Sequence, residues 1–191
     1  MNIKNVKTAF KVADVILDKE HPIRKIKFVF LNEIYDEHNK KIDSKILRDN
    51  SGRVYIIVSD NIIKKIGGSE SKGGIKSTMS FYQGGLQGGP SIRSYGIHIL
   101  ISEELEKNNK VEIYMITSEK RKMKVKGLFD EKEIEVGAFR DMENRCKEDY
   151  KSVEGKYPPW NFQENGTIWR TDILRDHNTH GKKRKSLKYD I

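Results

Sequence analysis

The stretch RVYIIVSDNIIKKIGG, residues 53–68, constrains the fold of this chain more than any other part of it. VYIIV (54–58) is β-branched and aromatic, a composition that suits a strand. Ser59-Asp60-Asn61 supplies turn residues, and IIKKI (62–66) is a return strand that runs into Gly67-Gly68. The pattern predicts an antiparallel hairpin, so the domain has to be assembled around a small antiparallel sheet.

The rest of the chain supplies helices to cover that sheet. Ile3, Val6, Phe10, Ala13 and Leu17 recur at spacings of three and four, which predicts an amphipathic helix over 3–17, closed by His21-Pro22. Residues 26–35, IKFVFLNEIY, suit a strand or a helix equally. Residues 36–52 are polar and close on the turn Asp49-Asn50-Ser51-Gly52. After the loop GGSESKGG, residues 75–82 read as a short helix and QGGLQGGP (83–90) as a glycine-rich connector. Residues 91–108 carry Ile92, Tyr95, Ile99, Leu100 and Leu105 on one helical face. VEIYMIT (111–117) is a third strand, and KMKVKGLF suits a fourth. Residues 138–153 place Phe139, Met142, Cys146, Tyr150 and Val153 on one helical face, and Gly155 stops that helix. YPPWN leaves in extended form, and the charged tail GKKRKSLKYDI is expected to be mobile. The order implies an α+β fold with a small antiparallel β-sheet flanked by helices.

Charge points to a partner. Over 191 residues the formal net charge is +9, which favours a polyanion, nucleic acid first and an anionic membrane surface second. The single cysteine, Cys146, excludes an intrachain disulfide or a four-cysteine zinc site. The N-terminal residues make a poor signal peptide, and no apolar run approaches the ~20 residues of a spanning helix. A cytoplasmic, soluble protein is expected.

Several local patterns have residue types that can carry chemistry. GGSESKGGIKST is close to a phosphate-binding loop, but Lys76-Ser77 arrives two residues after the position that such a loop requires. A flexible loop before a helix is the better reading. His177 and His180 in DHNTH have the spacing of two metal ligands on a helix, but no second cluster accompanies them, so solvated histidines are expected. Cys146 reads as a packed thiol. Tyr55 and Lys65 differ from these. They stand on the two strands of the hairpin, where one face can bring them together. A lysine ammonium beside a phenol favours the phenolate, and the pair could activate a water. An ordinary strand tyrosine and a surface lysine are the alternative.

With Val54-Tyr55 and Lys65-Ile66-Gly67 about ten residues apart, the hairpin resembles the core of the GIY-YIG nuclease superfamily. Lysine in place of the second tyrosine is similar to a branch of type II restriction endonucleases. The resemblance continues through Tyr82 in SFYQGG, Met142-Glu143-Asn144 and YPPWN with Asn161, covering roughly residues 53–162. It implies Tyr55, helped by Lys65, as general base, Tyr82 as a phosphate-orienting hydroxyl, and Glu143 as ligand of one Mg²⁺, with Glu148 as a rival. Asn161 would support the site. Arg53 replaces the first glycine, and Thr78 stands where the family has an arginine. Lys76, or the more distant Arg93, would supply the missing cation. The implied organisation is an N-terminal helical or extended arm over 1–52, a nuclease core over 53–162 and a basic arm over 163–191. Arg93, Lys120, Arg121, Lys122, Lys182, Lys183 and Arg184 are the expected DNA contacts. The implied activity is Mg²⁺-dependent cleavage of double-stranded DNA at a short site by a homodimer. A repair or homing nuclease on the same core, or a catalytically weakened DNA-binding protein, are the alternatives.

Overall fold

The apolar run of residues 53–59 is buried along its whole length because it lies inside a sheet that is covered on both faces. The structure is a computed structural model describing residues 1–21, 23, 25–36, 38–117 and 120–186; of residues 120, 121, 134–137 and 181–186 it describes the backbone alone. The strands are β1 (Phe10–Leu17), β2 (Ile26–Phe30), β3 (Ile34–Tyr35), β4 (Lys41–Ile42), β5 (Arg53–Ser59), β6 (Ile62–Ser69), β7 (Val111–Thr117), β8 (Lys120–Lys126) and β9 (Glu131–Gly137). The α-helices are α1 (Gly74–Gln83), α2 (Ile92–Glu106), α3 (Phe139–Glu154) and α4 (Thr171–Ser186). An antiparallel five-stranded sheet in the order β2-β1-β7-β5-β6 forms the centre of this α+β fold.

The β5–β6 hairpin forms as the sequence implies. Asp60 and Asn61 take φ of 46° and 65°, the left-handed pair that a two-residue turn matching strand twist requires. Alternation along β5 then divides the core. Tyr55 and Ile57 join the cluster beneath α1 and α2, while Val54, Ile56 and Val58 join Ile63, Ile66 and Tyr150 beneath α3.

Residues 3–17 are not a helix. Ile3–Asn5 is one 3₁₀ turn, and Phe10–Leu17 is strand β1, seated between β2 and β7. A β-bulge lies between Lys11 and Ala13, so Val12 and Ala13 are both buried and the alternation is broken. That bulge makes the apolar spacing imitate a helix. Residues 10–17 and 26–30 therefore complete the central sheet and are not a detached helical arm, because β7 would otherwise expose an unpaired edge. Residues 26–30 resolve as a strand.

In the C-terminal segment Thr171–Ser186 forms α4, which packs on α2 and buries Ile173; residues 187–191 of the charged tail lie outside the described residues. His177 and His180 are not freely solvated. Their rings lie 5.3 and 6.0 Å from the ring of Tyr95, and His177 Nε2 is 3.0 Å from the Pro90 carbonyl oxygen. β8 pairs with β9, a strand not anticipated from the sequence, in a separate two-stranded sheet. No helix among the described residues is long and apolar enough to cross a membrane.

Candidate active site

One cavity of about 280 Å³ opens beside the edge strand β6. Among its lining residues are Tyr55, Lys65, Arg93, Glu143, Lys147 and Glu164, drawn from β5, β6, α2, α3 and the segment after α3. Local geometry explains how residues so far apart in sequence meet. Tyr55 is paired with Gly67, and Ile57 with Lys65, so Tyr55 and Lys65 are diagonal neighbours on one face of the hairpin. Glu143 comes from α3, which covers the opposite face. The glycine pair joins the two faces at the sheet edge. A Cβ on Gly67 would fall 2.4 Å from Tyr55 Oη, and one on Gly68 would fall 2.3 Å from Glu143 Oε2. Both groups occupy space that any side chain on these residues would fill.

The hydroxyls of Tyr55 and Tyr82 are 2.6 Å apart in a buried hydrogen bond. Burial first, then Tyr82 and Glu143, hold the Tyr55 phenol well above its usual pKa; the Arg93 charge opposes them. This corrects the expectation that Lys65 would favour the phenolate. Lys65 is only 7% exposed, and burial together with Arg93 pushes its ammonium down to about 8. The lysine is thus an ammonium for the most part at pH 7 and becomes a proton acceptor as the pH rises through about 8. Its Nζ lies 3.5 Å from the Trp160 carbonyl oxygen.

Asn161 is 1% exposed and closes the edge of β6. Its Oδ1 accepts from the Ile66 amide at 3.0 Å, and its Nδ2 donates to the Ile66 carbonyl at 2.9 Å. Trp160 N–H donates to the Lys64 carbonyl at 2.8 Å. The YPPWN turn therefore satisfies backbone groups of the edge strand and fixes Lys65-Ile66-Gly67 in place.

The two cations that the sequence offers as alternatives, Lys76 and Arg93, are placed differently. Lys76 does not line the cavity; its Nζ lies over the Phe30 ring, 5.3 Å from the centroid. Arg93 lines the cavity and donates to Gln163 Oε1 at 2.6 Å. Of the two cations, Arg93 therefore faces the cavity, because α2 and not α1 presents its first turn to it. Thr78 is buried, bonded to Ser69 Oγ at 2.7 Å and to the Gly74 carbonyl at 3.2 Å, so a small hydroxyl residue fits its position. If the cavity receives a phosphodiester, we expect Arg93→Ala to lower its turnover about 100-fold and Lys76→Ala to leave it near that of the unaltered chain; equal losses in single-turnover assays would favour Lys76 as the cation that meets it.

Arg53 is turned away from the cavity, donating to the backbone carbonyls of Asp49 at 2.6 Å, Ser71 at 3.3 Å and Ser51. Glu148 accepts from Tyr157 Oη at 2.5 Å and does not line the cavity. Glu143 Oε1 is 2.6 Å from Lys147 Nζ, which is also 2.5 Å from Glu164 Oε1. Lys147 and Glu164 were not singled out from the sequence. For Lys147 the available signal is its place one helical turn after Glu143; Glu164 has none, since it arrives only through the return of the chain after α3. Among the described residues no group of three or more His, Cys, Asp or Glu could hold a metal ion. The side chains of Lys120, Arg121, Lys182, Lys183 and Arg184 lie outside the described residues. Lys122 is exposed and pairs with Glu133 at 3.0 Å.

The fold has known counterparts. A mutant of EndoII from bacteriophage T4 superposes on 84% of this chain and 98% of its own length, with a TM-score of 0.51 and 18% identity. A restriction endonuclease in complex with product DNA matches 83% of this chain and 84% of its own, with a TM-score of 0.46 and 19% identity. No family model matches the chain, and no curated protein matches it by sequence. The chain is therefore an α+β protein with the fold of bacteriophage T4 EndoII and a polar cavity at the edge of its central sheet.

Proposed function

We propose that this chain is a DNA endonuclease of the GIY-YIG type that hydrolyses phosphodiester bonds. In its finer form the reading is a Mg²⁺-dependent type II restriction enzyme that acts as a homodimer on a short site in double-stranded DNA. One observation carries it: Tyr55, Lys65 and Glu143, from three separate elements, line one cavity together with Arg93. The Tyr82 hydroxyl is bonded to that of Tyr55.

Hydrolysis requires attack of a water oxygen on phosphorus, loss of the water proton and departure of an ester oxygen. Tyr55 receives the water proton while its own passes toward Lys65, whose amine is uncharged above about pH 8. Tyr82 orients a non-bridging phosphate oxygen through its hydroxyl. Arg93 neutralises the charge that grows on the phosphate. Glu143 fits a hard cation: its carboxylate lines the cavity, already faces an ammonium, and reaches the cavity across the space that the absent Gly68 side chain leaves. It would hold one Mg²⁺, which when bound supplies positive charge at the leaving oxygen. The net charge of +9 suits a DNA partner.

The test is digestion of a supercoiled plasmid by the purified chain with Mg²⁺ or with a chelator. We expect discrete linear products with Mg²⁺ and intact plasmid with the chelator. Binding that retards the plasmid without cutting it would favour the weakened DNA-binding reading, which Thr78 in place of an arginine keeps open.

A further inference from the structure

Lys147 has a position that the proposed chemistry does not use. It projects from α3 one turn beyond Glu143, and it is 9% exposed. Its ammonium lies between two carboxylate oxygens, at 2.6 Å from Glu143 and 2.5 Å from Glu164. Both carboxylates line the cavity. The ammonium therefore sits against the Glu143 carboxylate at which a metal ion would have to bind.

We propose that Lys147 is a resident cation that occupies the metal position of Glu143 in the free protein and is displaced toward Glu164 when a divalent ion binds. The inference rests on Glu143 as the metal ligand. Two carboxylates and one ammonium sum to a single negative charge, and Arg93 and Lys65 line the same cavity, so a divalent ion meets little attraction while the ammonium remains. Glu164 gives the ammonium a second anchor, so its departure from Glu143 does not strand a buried charge. The consequence is low metal affinity in the absence of DNA. Phosphate oxygens entering the cavity supply the missing ligands, and metal loading is coupled to substrate.

The experiment titrates Mn²⁺ into the DNA-free chain and follows free Mn²⁺ by electron paramagnetic resonance. Lys147→Met keeps the length of the side chain and removes its charge, with retained folding checked by circular dichroism. We expect Kd for Mn²⁺ to fall about tenfold or more in Lys147→Met, the order of effect expected when one close like charge is removed. Unchanged or weaker binding would overturn the proposal. A second measurement uses the unaltered chain. Reductive methylation of Lys147, followed by mass spectrometry, should accelerate when saturating Mg²⁺ is added, because displacement leaves the ammonium one carboxylate partner in place of two. A rate indifferent to saturating Mg²⁺ would equally overturn it. Glu143→Ala separates this idea from the nuclease reading. If Mn²⁺ binding depends on Glu143 and tightens in Lys147→Met while plasmid stays uncut, the resident cation stands and the nuclease reading falls. If the plasmid is cut with Mg²⁺ but Lys147→Met binds Mn²⁺ no better, the reverse holds.

Discussion

Tyr55→Phe is expected to lower plasmid cleavage by about 100- to 10,000-fold, the usual span for loss of a positioned proton acceptor, while leaving fold and DNA binding intact. The substitution removes one oxygen from a side chain that is 5% exposed and retains the ring in its place between the sheet and the helices. The cost in stability is that of the 2.6 Å hydroxyl bond to Tyr82, about 1 kcal/mol. Chemistry loses far more, because the cavity offers no equivalent oxygen at that point on β5. The pH profile supplies a second readout. Lys65, pushed down to about 8 by burial and Arg93, accepts a proton only in its uncharged form. The value of kcat/KM should therefore rise with pH through about 8 and then level, and Lys65→Met should abolish that break. Full cleavage by Tyr55→Phe would remove the base assignment; a profile unaltered by Lys65→Met would remove the proton path.

The parts of the site legible in the sequence are those set by local rules. A two-residue turn and β-branched flanks fixed the β5–β6 hairpin, and pairing within it set Tyr55 and Lys65 on one face. Helical spacing located α2 and α3 and so placed Glu143. Errors arose where tertiary structure overrode a local period. In β1 the bulge at Lys11/Ala13 shifts the apolar positions and gives a strand the spacing of a helix. In β9 the alternating Glu131, Lys132 and Glu133 carry no apolar signal. The choice between Lys76 and Arg93 stays open in the sequence, because nearness to Tyr82 along the chain says nothing about which helix faces the cavity. Arg93 and Glu164 enter through packing of α2 and through the chain return after α3, contacts that no short window of sequence contains.

Gly67→Ala should damage the site as severely as loss of the phenol, although it adds only one methyl group. The new Cβ would fall 2.4 Å from both Cζ and Oη of Tyr55 and 2.9 Å from Cε1. Tyr55 cannot swing away, since its ring is packed within the main core cluster and its hydroxyl is tied to Tyr82. The ring or the edge strand must therefore shift, at a cost of about 1–3 kcal/mol for overpacking. Cleavage should fall to the level of Tyr55→Phe, because the oxygen is moved and not merely weakened. A double-mutant cycle isolates the cause: in a Tyr55→Ala background, Gly67→Ala should lose most of its stability cost, with a coupling of about 0.5–3 kcal/mol by denaturant unfolding. Gly68→Ala provides the contrast. Its Cβ meets mainly the end of a Glu143 side chain with rotatable bonds, and Phe139 Cδ2 only at 3.0 Å, so the clash is relieved by displacing the carboxylate at a smaller cost in stability than in Gly67→Ala. Metal binding should weaken there while the fold remains firm. An active, fully stable Gly67→Ala would mean that the phenol does not depend on the glycine for its position, and the explanation of why this strand ends on a glycine pair would fail.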